Sequence, residues 1–389
     1  MAREFPKGFL WGAATAAHQV EGNNLNNDWW QLEQRAAGYI EASGDGVDSY
    51  HRYADDLRLV AAAGLNAYRF SLEWSRIEPL PGQYSRAMLD HYRRLIDTTL
   101  GLGLTPVVTL HHFTHPLWFG ERGAWLAQDA VDRFAAYVAR ACTILDGVDW
   151  VCTINEPNIV AVNHGQQRRL ARGEDYQFVG AMPDDEVGEA LINAHTAAAP
   201  IVSEMVGARV GWTVANQALT PTPGAEAKHR EVQWLWEDRY LEAARGDDFV
   251  GVQSYTSQPV DARGIVAHPE RPDNTLMGWA YRPDALGLAV RHTAAVVGDV
   301  PIVVTENGIA TADDQVRIAY TTGALTGLVD AIDDGIDVRG YLHWSLLDNY
   351  EWGRWDATFG LVAVDRTTFE RHPKPSLAWL GAVARANAL

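Results

Sequence analysis

Cysteine is scarce in this sequence, with only Cys142 and Cys152 among 389 residues. Two cysteines cannot build the disulfide framework of a small secreted domain, so we expect both to be reduced thiols in the core. The sequence also lacks an Asn-x-Ser/Thr glycosylation site, and the segment that begins with Met1 lacks the apolar run of a signal peptide. These absences predict a cytoplasmic protein.

Long apolar runs and an excess of positive charge are also missing. No stretch of about 18 apolar residues occurs, so we expect no membrane-spanning helix. Lysine and arginine number 32 against 50 aspartates and glutamates, which gives a formal net charge of −18. Such a surface repels phosphate backbones and anionic membranes, so we expect neither nucleic acid nor a membrane as partner. Tryptophan, by contrast, is abundant, and its 15 flat indoles suit a core or a platform for a flat ligand.

Apolar strand-like segments alternate with helical ones along the chain. The strand-like segments are short, rich in Val, Ile, Thr and aromatics, and continuously apolar, which is typical of parallel strands buried on both faces. They are Phe9–Ala14, Ala67–Ser71, Pro106–Leu110, Trp150–Ile154, Arg209–Val214, Phe249–Gln253, Ile302–Thr305 and Val338–Trp344. Between them, Ser49–Ala63, Ala130–Leu145 and Asp313–Asp334 place apolar residues at helical spacing.

This alternation predicts an α/β fold, a single (β/α)8 TIM barrel that spans residues 1–389 as one catalytic domain. A doubly wound nucleotide-binding sheet is disfavoured, because no Gly-rich phosphate loop follows the first strand.

Side chains that can bind a ligand or take part in catalysis follow most of the predicted strands. Barrels place their active sites at these carboxyl ends, so we expect the side chains to meet there. They are Gln19, Arg69, His112, Asn155 with Glu156, Tyr255, Glu306 and Trp344. The fifth strand ends without an obvious candidate, unless Asn216 serves.

Two carboxylates dominate this set, Glu156 after the fourth strand and Glu306 after the seventh. Two carboxyl groups that face each other over a cleft can hydrolyse a glycosidic bond. A separation of about 5–5.5 Å leads to a covalent intermediate and retention of configuration, and one of about 6.5–9.5 Å to inversion. The residues alone leave both outcomes open.

Six segments stand in order at barrel spacing. They are Phe9–Thr15 with His18–Gly22, Arg69–Ser71 with Trp74–Ile77, Thr109–Phe113, Thr153–Pro157, Thr305–Gly308 and Trp344–Trp352. This set resembles family 1 glycoside hydrolases, the β-glucosidase/β-galactosidase family, nearly end to end. The resemblance implies a retaining β-glycosidase with a two-glutamate mechanism.

The resemblance also implies a role for each site residue. Glu156 matches the general acid/base and Glu306 the nucleophile, which Arg69 and Tyr255 keep ionised. Asn155 matches the residue that binds the sugar 2-hydroxyl in the transition state.

The remaining sugar contacts carry over in the same way. Gln19 and Glu351 match the pair that grips the outer hydroxyls, and His112 matches the histidine at the 3-hydroxyl. Trp344 resembles the platform under the ring, and Trp352 the indole donor beside it. We expect Trp11, Trp150, Trp212 and Trp379 to pack in the core instead.

A metal or other cofactor is not expected. His111, His112 and His115 stand in a strand-to-loop turn rather than on one helix face, and no paired ligand set appears elsewhere. The expected partner is a small glycoside substrate, and the oligomeric state cannot be inferred from the sequence.

The chain departs from the family mainly on the leaving-group side. Gln253 and Ser254 replace the usual Asn-Tyr before Tyr255, and the Gly- and Pro-rich loop after Glu156 is missing. A basic segment, Gln166–Gly173, stands there instead, and we interpret it as a solvated loop. The chain is short for the family, and the missing length predicts an open cleft for a bulky leaving group.

These observations predict an exo-acting enzyme that removes a terminal β-linked sugar from an aryl, alkyl or natural-product aglycone or a short oligosaccharide. Glucose is the first choice of sugar, and galactose and fucose are alternatives. Glu351 disfavours 6-phosphosugars, because its charge would repel phosphate. Transglycosylation by the same residues and a non-catalytic sugar-binding protein are the competing functions. The second would be expected to lose one of the two glutamates.

Overall fold

The computed structural model describes residues 3–36, 38, 40–174 and 180–389. Within them, eight parallel strands close into a barrel, which confirms the predicted fold. Strands β1 to β8 are Leu10–Ala14, Ala67–Ser71, Thr105–His111, Trp150–Asn155, Arg209–Ala215, Val250–Gln253, Ile302–Asn307 and Val338–Trp344. Their bounds differ from the predicted segments by at most two residues.

The barrel strands pair in chain order, and β1 pairs with β8 to close the ring, from Leu10 opposite Gly340 to Ala14 opposite Trp344. The strands approach one another closely between β5 and β6. A Cβ atom at Gly211 would lie 2.0 Å from the carbonyl oxygen of Phe249, so glycine is required at this position.

Helices follow most of the strands and cover the outside of the barrel. The α-helices are Ala17–Val20, Asp28–Arg35, Ser49–Ala63, Trp74–Ile77, Arg86–Gly101, Leu117–Glu121, Ala130–Cys142, Pro157–Ala171, Asp185–Val206, Glu226–Gln233, Arg239–Ala243, Ala285–Val297, Asp314–Asp333 and Pro375–Ala386, with a 3₁₀ turn at Ala124–Leu126 and a π-helical turn at Trp234–Asp238. Ser49–Ala63 has the predicted bounds, and the other two predicted helices end within three residues of their predicted ends. None of the helices in the described ranges is long and apolar enough to cross a membrane.

Apolar side chains pack both inside the barrel and between the barrel and its surrounding helices. One cluster inside the barrel includes Val107, Cys152 and Leu342, and the larger one lies between strands and helices. At the amino-terminal end of the barrel, the rings of Trp150 and Phe249 meet edge to face at 5.1 Å. Both cysteines are free and buried. The predicted site residues therefore project from the opposite end of a rigid, packed scaffold.

The basic segment after β4 is not a loop, and the prediction of one was wrong. Residues 166 to 171 continue the helix Pro157–Ala171, because the run of Gln, Arg, Leu and Ala contains no helix breaker. Arg168 pairs with Asp184 at 2.8 Å and with Glu186 at 2.9 Å, and Arg172 pairs with Glu174 at 2.6 Å. The arginines thus neutralise carboxylates of the protein itself.

In the described ranges, two small sheets lie beside the barrel. The first, which we call the surface sheet, contains Thr220–Pro221, Pro259–Asp261 and Gly264–Ile265 and follows strands β5 and β6. The second pairs Val362–Val364 with Arg371–Pro373. The surface sheet lies in the connections that leave the carboxyl ends of β5 and β6, on the same side of the barrel as the predicted site.

Candidate active site

A cavity of about 570 Å³ opens at the carboxyl ends of the barrel strands, and we call it the catalytic cavity. Most of the predicted site residues line it: Gln19, His112, Glu156, Tyr255, Glu306, Trp344, Glu351 and Trp352. Arg69 and Asn155 are fully buried and hydrogen-bond to residues of this wall. Asn216 also lines the cavity, so β5 contributes a polar group as the other strands do.

Glu306, at the end of β7, accepts hydrogen bonds on both carboxylate oxygens. Arg69 Nη1 and Gln253 Nε2 donate to Oε1 at 2.6 Å and 2.9 Å, and the Tyr255 hydroxyl donates to Oε2 at 2.6 Å. Burial raises the pKa of Glu306, while Arg69, Tyr255 and Gln253 act in the opposite direction. The three donors favour the ionised carboxylate that a nucleophile requires.

Asn155 is held in one amide orientation by its neighbours. Its Oδ1 accepts from Arg69 Nη2, from Gln253 Nε2 at 2.9 Å and from Thr213 Oγ1 at 3.1 Å. Three donors on one oxygen require that the other end of the amide is the NH₂ group, and this group donates to His112 Nε2 at 3.3 Å. The Asn155 amide is therefore available as a donor on the His112 side of the site.

Glu156 has a different environment from Glu306. It is the N-cap residue of the helix Pro157–Ala171, and its side chain caps no backbone amide there. Burial, first, and the negative charge of Glu306, second, raise the pKa of Glu156 well above its ordinary value. Burial and the Glu306 charge therefore favour the protonated form of Glu156, while Glu306 has the partners of a carboxylate.

Three residues in the wall of the catalytic cavity have left-handed backbone conformations. Phe113, Glu156 and Trp352 have φ angles of 67°, 44° and 48°, and all three line the cavity. Left-handed conformations cost a residue with a Cβ atom roughly 1–2 kcal/mol. Such residues persist where the surrounding structure holds them, and here they direct three side chains toward one space.

Gln19 and Glu351 form a connected pair on the sugar side of the predicted site. Gln19 Nε2 donates to Glu351 Oε2 at 3.2 Å and to the Tyr350 carbonyl oxygen at 2.8 Å, and Trp344 Nε1 donates to Glu351 Oε1 at 3.0 Å. Burial raises the pKa of Glu351 to about 8. The pair offers both donors and acceptors to ligand hydroxyls.

Aromatic rings surround the remaining wall. The ring of His112 stacks on Trp344 and on Trp352 at centroid distances of 6.0 Å and 6.1 Å. Burial, with help from the Arg69 charge, lowers the pKa of His112 well below its ordinary value. A neutral imidazole between two indoles gives a flat wall with a hydrogen-bonding edge, which suits a sugar ring.

The histidines His111 and His115 do not join a ligand cluster. Both are buried, and burial lowers the pKa of each. In the part of the chain that the structure describes, no group of three or more His, Cys, Asp and Glu side chains is placed to hold a metal ion.

Sequence reasoning missed Gln253 as a site residue, although it noted the departure from the family at this position. Gln253 is the last residue of β6, so the rule that selected the other strand-end residues also applies to it. Its amide bridges Glu306 and Asn155, each at 2.9 Å. Trp279, Met277 and Gln217 also line the cavity, and no chain-local pattern distinguishes them.

The family model of glycosyl hydrolase family 1 matches residues 1–243 and 248–389. The chain belongs to this family. The thermostable beta-glucosidase B of Thermobispora bispora is 33% identical over 440 aligned positions, which cover 99% of this chain and 91% of the relative. A bifunctional beta-D-glucosidase/beta-D-fucosidase of Bifidobacterium breve is 31% identical, with 97% and 98% covered. A crystallised beta-glycosidase superimposes with a TM-score of 0.90 at 41% identity, with 99% and 98% covered.

These similarities confirm the family resemblance and the glycosidase class that the sequence predicts. This chain is shorter than the Thermobispora relative. The alignment with the Thermobispora protein runs to 440 positions, although this chain has only 389 residues, so that relative holds residues without a counterpart here.

Proposed function

We propose that this family 1 enzyme hydrolyses terminal β-glucosides with retention of configuration, through a covalent glycosyl-enzyme on Glu306. The observation that supports the proposal best is the asymmetry of two carboxyls in one cavity. Glu306 receives three donors, whereas burial and the Glu306 charge raise the pKa of Glu156 and favour its protonated form. One group is prepared as nucleophile and the other as acid.

In the first step, a Glu306 oxygen attacks the anomeric carbon while the Glu156 carboxylic acid donates its proton to the glycosidic oxygen. The bond between these two substrate atoms breaks, and the aglycone leaves as a neutral alcohol. Arg69, Gln253 and Tyr255 hold the attacking carboxylate, and the Asn155 amide donates to the sugar 2-hydroxyl, where the contact strengthens in the transition state.

In the second step, Glu156 is a carboxylate and removes a proton from an incoming water. The resulting hydroxide oxygen bonds to the anomeric carbon, the ester bond to Glu306 breaks, and the free sugar leaves with its original configuration. Neutralisation of Glu306 in the ester removes the repulsion that raised the pKa of Glu156. The same residue therefore becomes a base when the cycle requires one.

Five further residues of the catalytic cavity hold the sugar. Gln19 and Glu351 bind the outer hydroxyls and His112 binds the 3-hydroxyl. The Trp344 indole packs under the ring, and the Trp352 indole N–H donates beside it. We propose glucose as the preferred sugar. Galactose and fucose are to be compared directly, because the Bifidobacterium relative is named for both glucosidase and fucosidase activity.

Three measurements test the mechanism. Proton NMR of the first-formed product from an aryl β-glucoside is expected to show the β-anomer, and an α-anomer would establish inversion instead. An activated 2-deoxy-2-fluoro-β-glucoside is expected to label a peptide that contains Glu306. Glu306→Gly is expected to abolish turnover. Full activity in this variant would overturn the nucleophile assignment.

The same assays separate hydrolysis from transglycosylation. Added alcohol competes with water for the glycosyl-enzyme, so the ratio of alkyl glucoside to free glucose reports the preferred acceptor. We expect free glucose to dominate at low alcohol concentration. A product mixture dominated by the alkyl glucoside under these conditions would assign the enzyme to the transferases.

We propose that residues 1–389 act as one domain in the cytoplasm. The Arg3 backbone amide donates to the Leu389 carbonyl oxygen at 3.1 Å, so both ends of the chain join the same body. Two free, buried cysteines suit a reducing compartment. A single cooperative unfolding transition and recovery of activity in the cytoplasmic fraction are expected. Two separate transitions or recovery outside the cytoplasm would contradict the proposal.

A further inference from the structure

A buried imidazole lies behind one side of the catalytic cavity, the side formed by Gln19, Glu351 and Trp352, which we call the outer wall. His18 precedes Gln19 in the helix Ala17–Val20 and is buried. Its ring stacks on the indole of Trp352, with centroids 5.7 Å apart and planes 11° from parallel. The described residues that line the cavity do not include His18. It therefore acts on a bound sugar only through its neighbours.

Asparagine side chains fix the tautomer of His18. Asn27 Oδ1 accepts from the Trp30 backbone amide at 2.7 Å, and a backbone amide can only donate. The Asn27 NH₂ group therefore faces His18 Nδ1, at 3.0 Å, and Asn24 Nδ2 donates to the same nitrogen at 3.2 Å. Because Nδ1 accepts these bonds, the ring proton of the neutral imidazole is on Nε2.

Glu33 accepts this proton and is held firmly on its other oxygen. His18 Nε2 donates to Glu33 Oε1 at 3.0 Å, and the backbone amide and the hydroxyl of Ser43 both donate to Oε2 at 2.9 Å. Burial raises the pKa of Glu33, but the bonds from His18 and Ser43 outweigh it and lower the pKa below its ordinary value. The imidazole is thus held at both nitrogens, with an ionised carboxylate at one of them.

The loop that carries Trp352 is irregular and is held by contacts with other segments. Trp352 has a left-handed φ of 48°. The Glu41 backbone amide donates to the Gly353 carbonyl oxygen at 2.8 Å, and the Trp355 backbone amide donates to Glu41 Oε2 at 2.8 Å. Two residues after Glu41, Ser43 donates to the carboxylate that holds the imidazole. The same short segment therefore secures both the Trp352 loop and the support behind it.

We propose that His18 and Glu33 are positioning residues for sugar binding: the Glu33 carboxylate fixes the imidazole, and the imidazole fixes Trp352 beside the sugar. The inference rests on the proposed glucosidase function and adds two residues that set the affinity for the sugar without touching it. Trp352 contacts the sugar before and during bond cleavage alike. Loss of its position therefore weakens ground state and transition state equally, which raises KM and leaves kcat unchanged.

Glu33→Gln tests the proposal without altering a residue that lines the cavity. An amide cannot accept at both ends, so the variant loses either the bond from His18 or the bonds from Ser43. We expect the competitive inhibition constant of glucose, and KM for an aryl β-glucoside, to rise about fivefold or more, with kcat within about threefold of the wild type. A purely structural role predicts the reverse, because partial unfolding lowers kcat and leaves the inhibition constant of the folded fraction unchanged.

Asp56→Asn is the matched control. Asp56 is also a buried carboxylate, and it accepts from the cationic Arg371 at 2.7 Å and from the Ser49 hydroxyl at 2.8 Å. These three residues are not among the described residues that line the catalytic cavity. We expect the control to lower Tm and to keep the wild-type inhibition constant of glucose.

Ser43→Ala is a milder second variant, because it removes the hydroxyl and keeps the backbone donor to Glu33. We expect it to raise the inhibition constant of glucose about two- to threefold, and it decides the question alone if Glu33→Gln does not fold. A wild-type inhibition constant in the folded variants, or an equal rise in Asp56→Asn, overturns the positioning role. Failure of the wild type to hydrolyse the aryl β-glucoside would instead contradict the proposed function itself.

Discussion

Replacement of Gln253 by methionine is expected to weaken the nucleophile and preserve the barrel. Methionine has a similar length but no N–H donor, so Gln253→Met removes the two 2.9 Å bonds to Glu306 and Asn155. The Gln253 amide oxygen is itself buried and has no hydrogen-bond partner in the described part of the chain, so its removal leaves no donor there unsatisfied. The effect of the variant is therefore confined to the two acceptors.

The size of the effect follows from the charge on one acceptor. A hydrogen bond to a charged group contributes about 1.5–3 kcal/mol, against about 0.5–1.5 kcal/mol for a neutral one. Glu306 keeps its bonds to Arg69 and Tyr255, both at 2.6 Å, so the carboxylate stays supported and activity is reduced rather than lost. With about 1.4 kcal/mol for each factor of ten, kcat/KM is expected to fall about 10- to 100-fold.

The pH profile provides a more specific readout. In the proposed mechanism Glu306 reacts ionised and Glu156 reacts protonated, so kcat/KM is expected to rise through the pKa of Glu306 and to fall through the pKa of Glu156. The Gln253 donor favours the charged form of Glu306 and lowers its pKa. Loss of this donor raises the pKa of Glu306, so the acid limb of the profile is expected to move to higher pH. An aryl β-glucoside assay at low substrate concentration measures it.

Thr213→Val is the matched control for this prediction. Thr213 also donates to Asn155 Oδ1, at 3.1 Å, but the structure gives it no hydrogen bond to Glu306. The control is expected to lower kcat/KM and leave the acid limb in place. An acid limb that is unchanged in Gln253→Met, or equally shifted in Thr213→Val, would refute the reasoning.

Three further predictions concern the acid, the cavity wall and the fold. Glu156→Gln is expected to abolish the alkaline limb of the kcat/KM profile. An amide cannot lose the proton that the Glu156 carboxyl loses as the pH rises through its raised pKa. A pH profile with an activated aryl glucoside measures this, and an unchanged limb would assign it to another group. Gly308→Ala would place a Cβ atom 2.0 Å from the Trp344 carbonyl oxygen. We therefore expect the fold to be destabilised by about 1–3 kcal/mol, which a lower Tm would show, and sugar binding to be impaired, which a higher KM would show. Wild-type values of both Tm and KM would contradict the clash. Arg371→Met leaves Asp56, which is 0% exposed, without its ion-pair partner. We expect the free energy of unfolding, measured in urea, to fall by about 3–5 kcal/mol while KM stays unchanged. A changed KM with unaltered stability would contradict this expectation.

Much of this architecture could be predicted because its signals are local. A parallel strand buried on both faces must be a continuous apolar run, so each strand could be recognised without knowledge of its neighbours. Functional side chains in a barrel lie one or two residues past such runs, which is why Glu156 and Glu306 could be placed in one cavity from their positions in the chain.

The hydrogen-bond network around the nucleophile has no such local signal. Gln253 and Asn155 are 98 residues apart, and their contact depends on the register of β4 relative to β6 and on one side-chain rotamer. Distances of this kind arise only when several strands are assembled. The basic segment Gln166–Ala171 is a different case. Its Gln, Arg and Leu residues are strong helix formers, so the prediction of a solvated loop was wrong although a local signal for the helix was present.

The left-handed backbone of Glu156 has a consequence for the improvement of this enzyme by selection. Glycine at this position would relieve roughly 1–2 kcal/mol of backbone strain and remove a buried carboxyl that caps no backbone amide, so a screen for heat resistance alone would enrich glycine there. The selected variants would be more stable barrels that lack the proposed proton donor. Thermal stability and turnover therefore conflict at this position, and every round of selection there has to include a turnover assay.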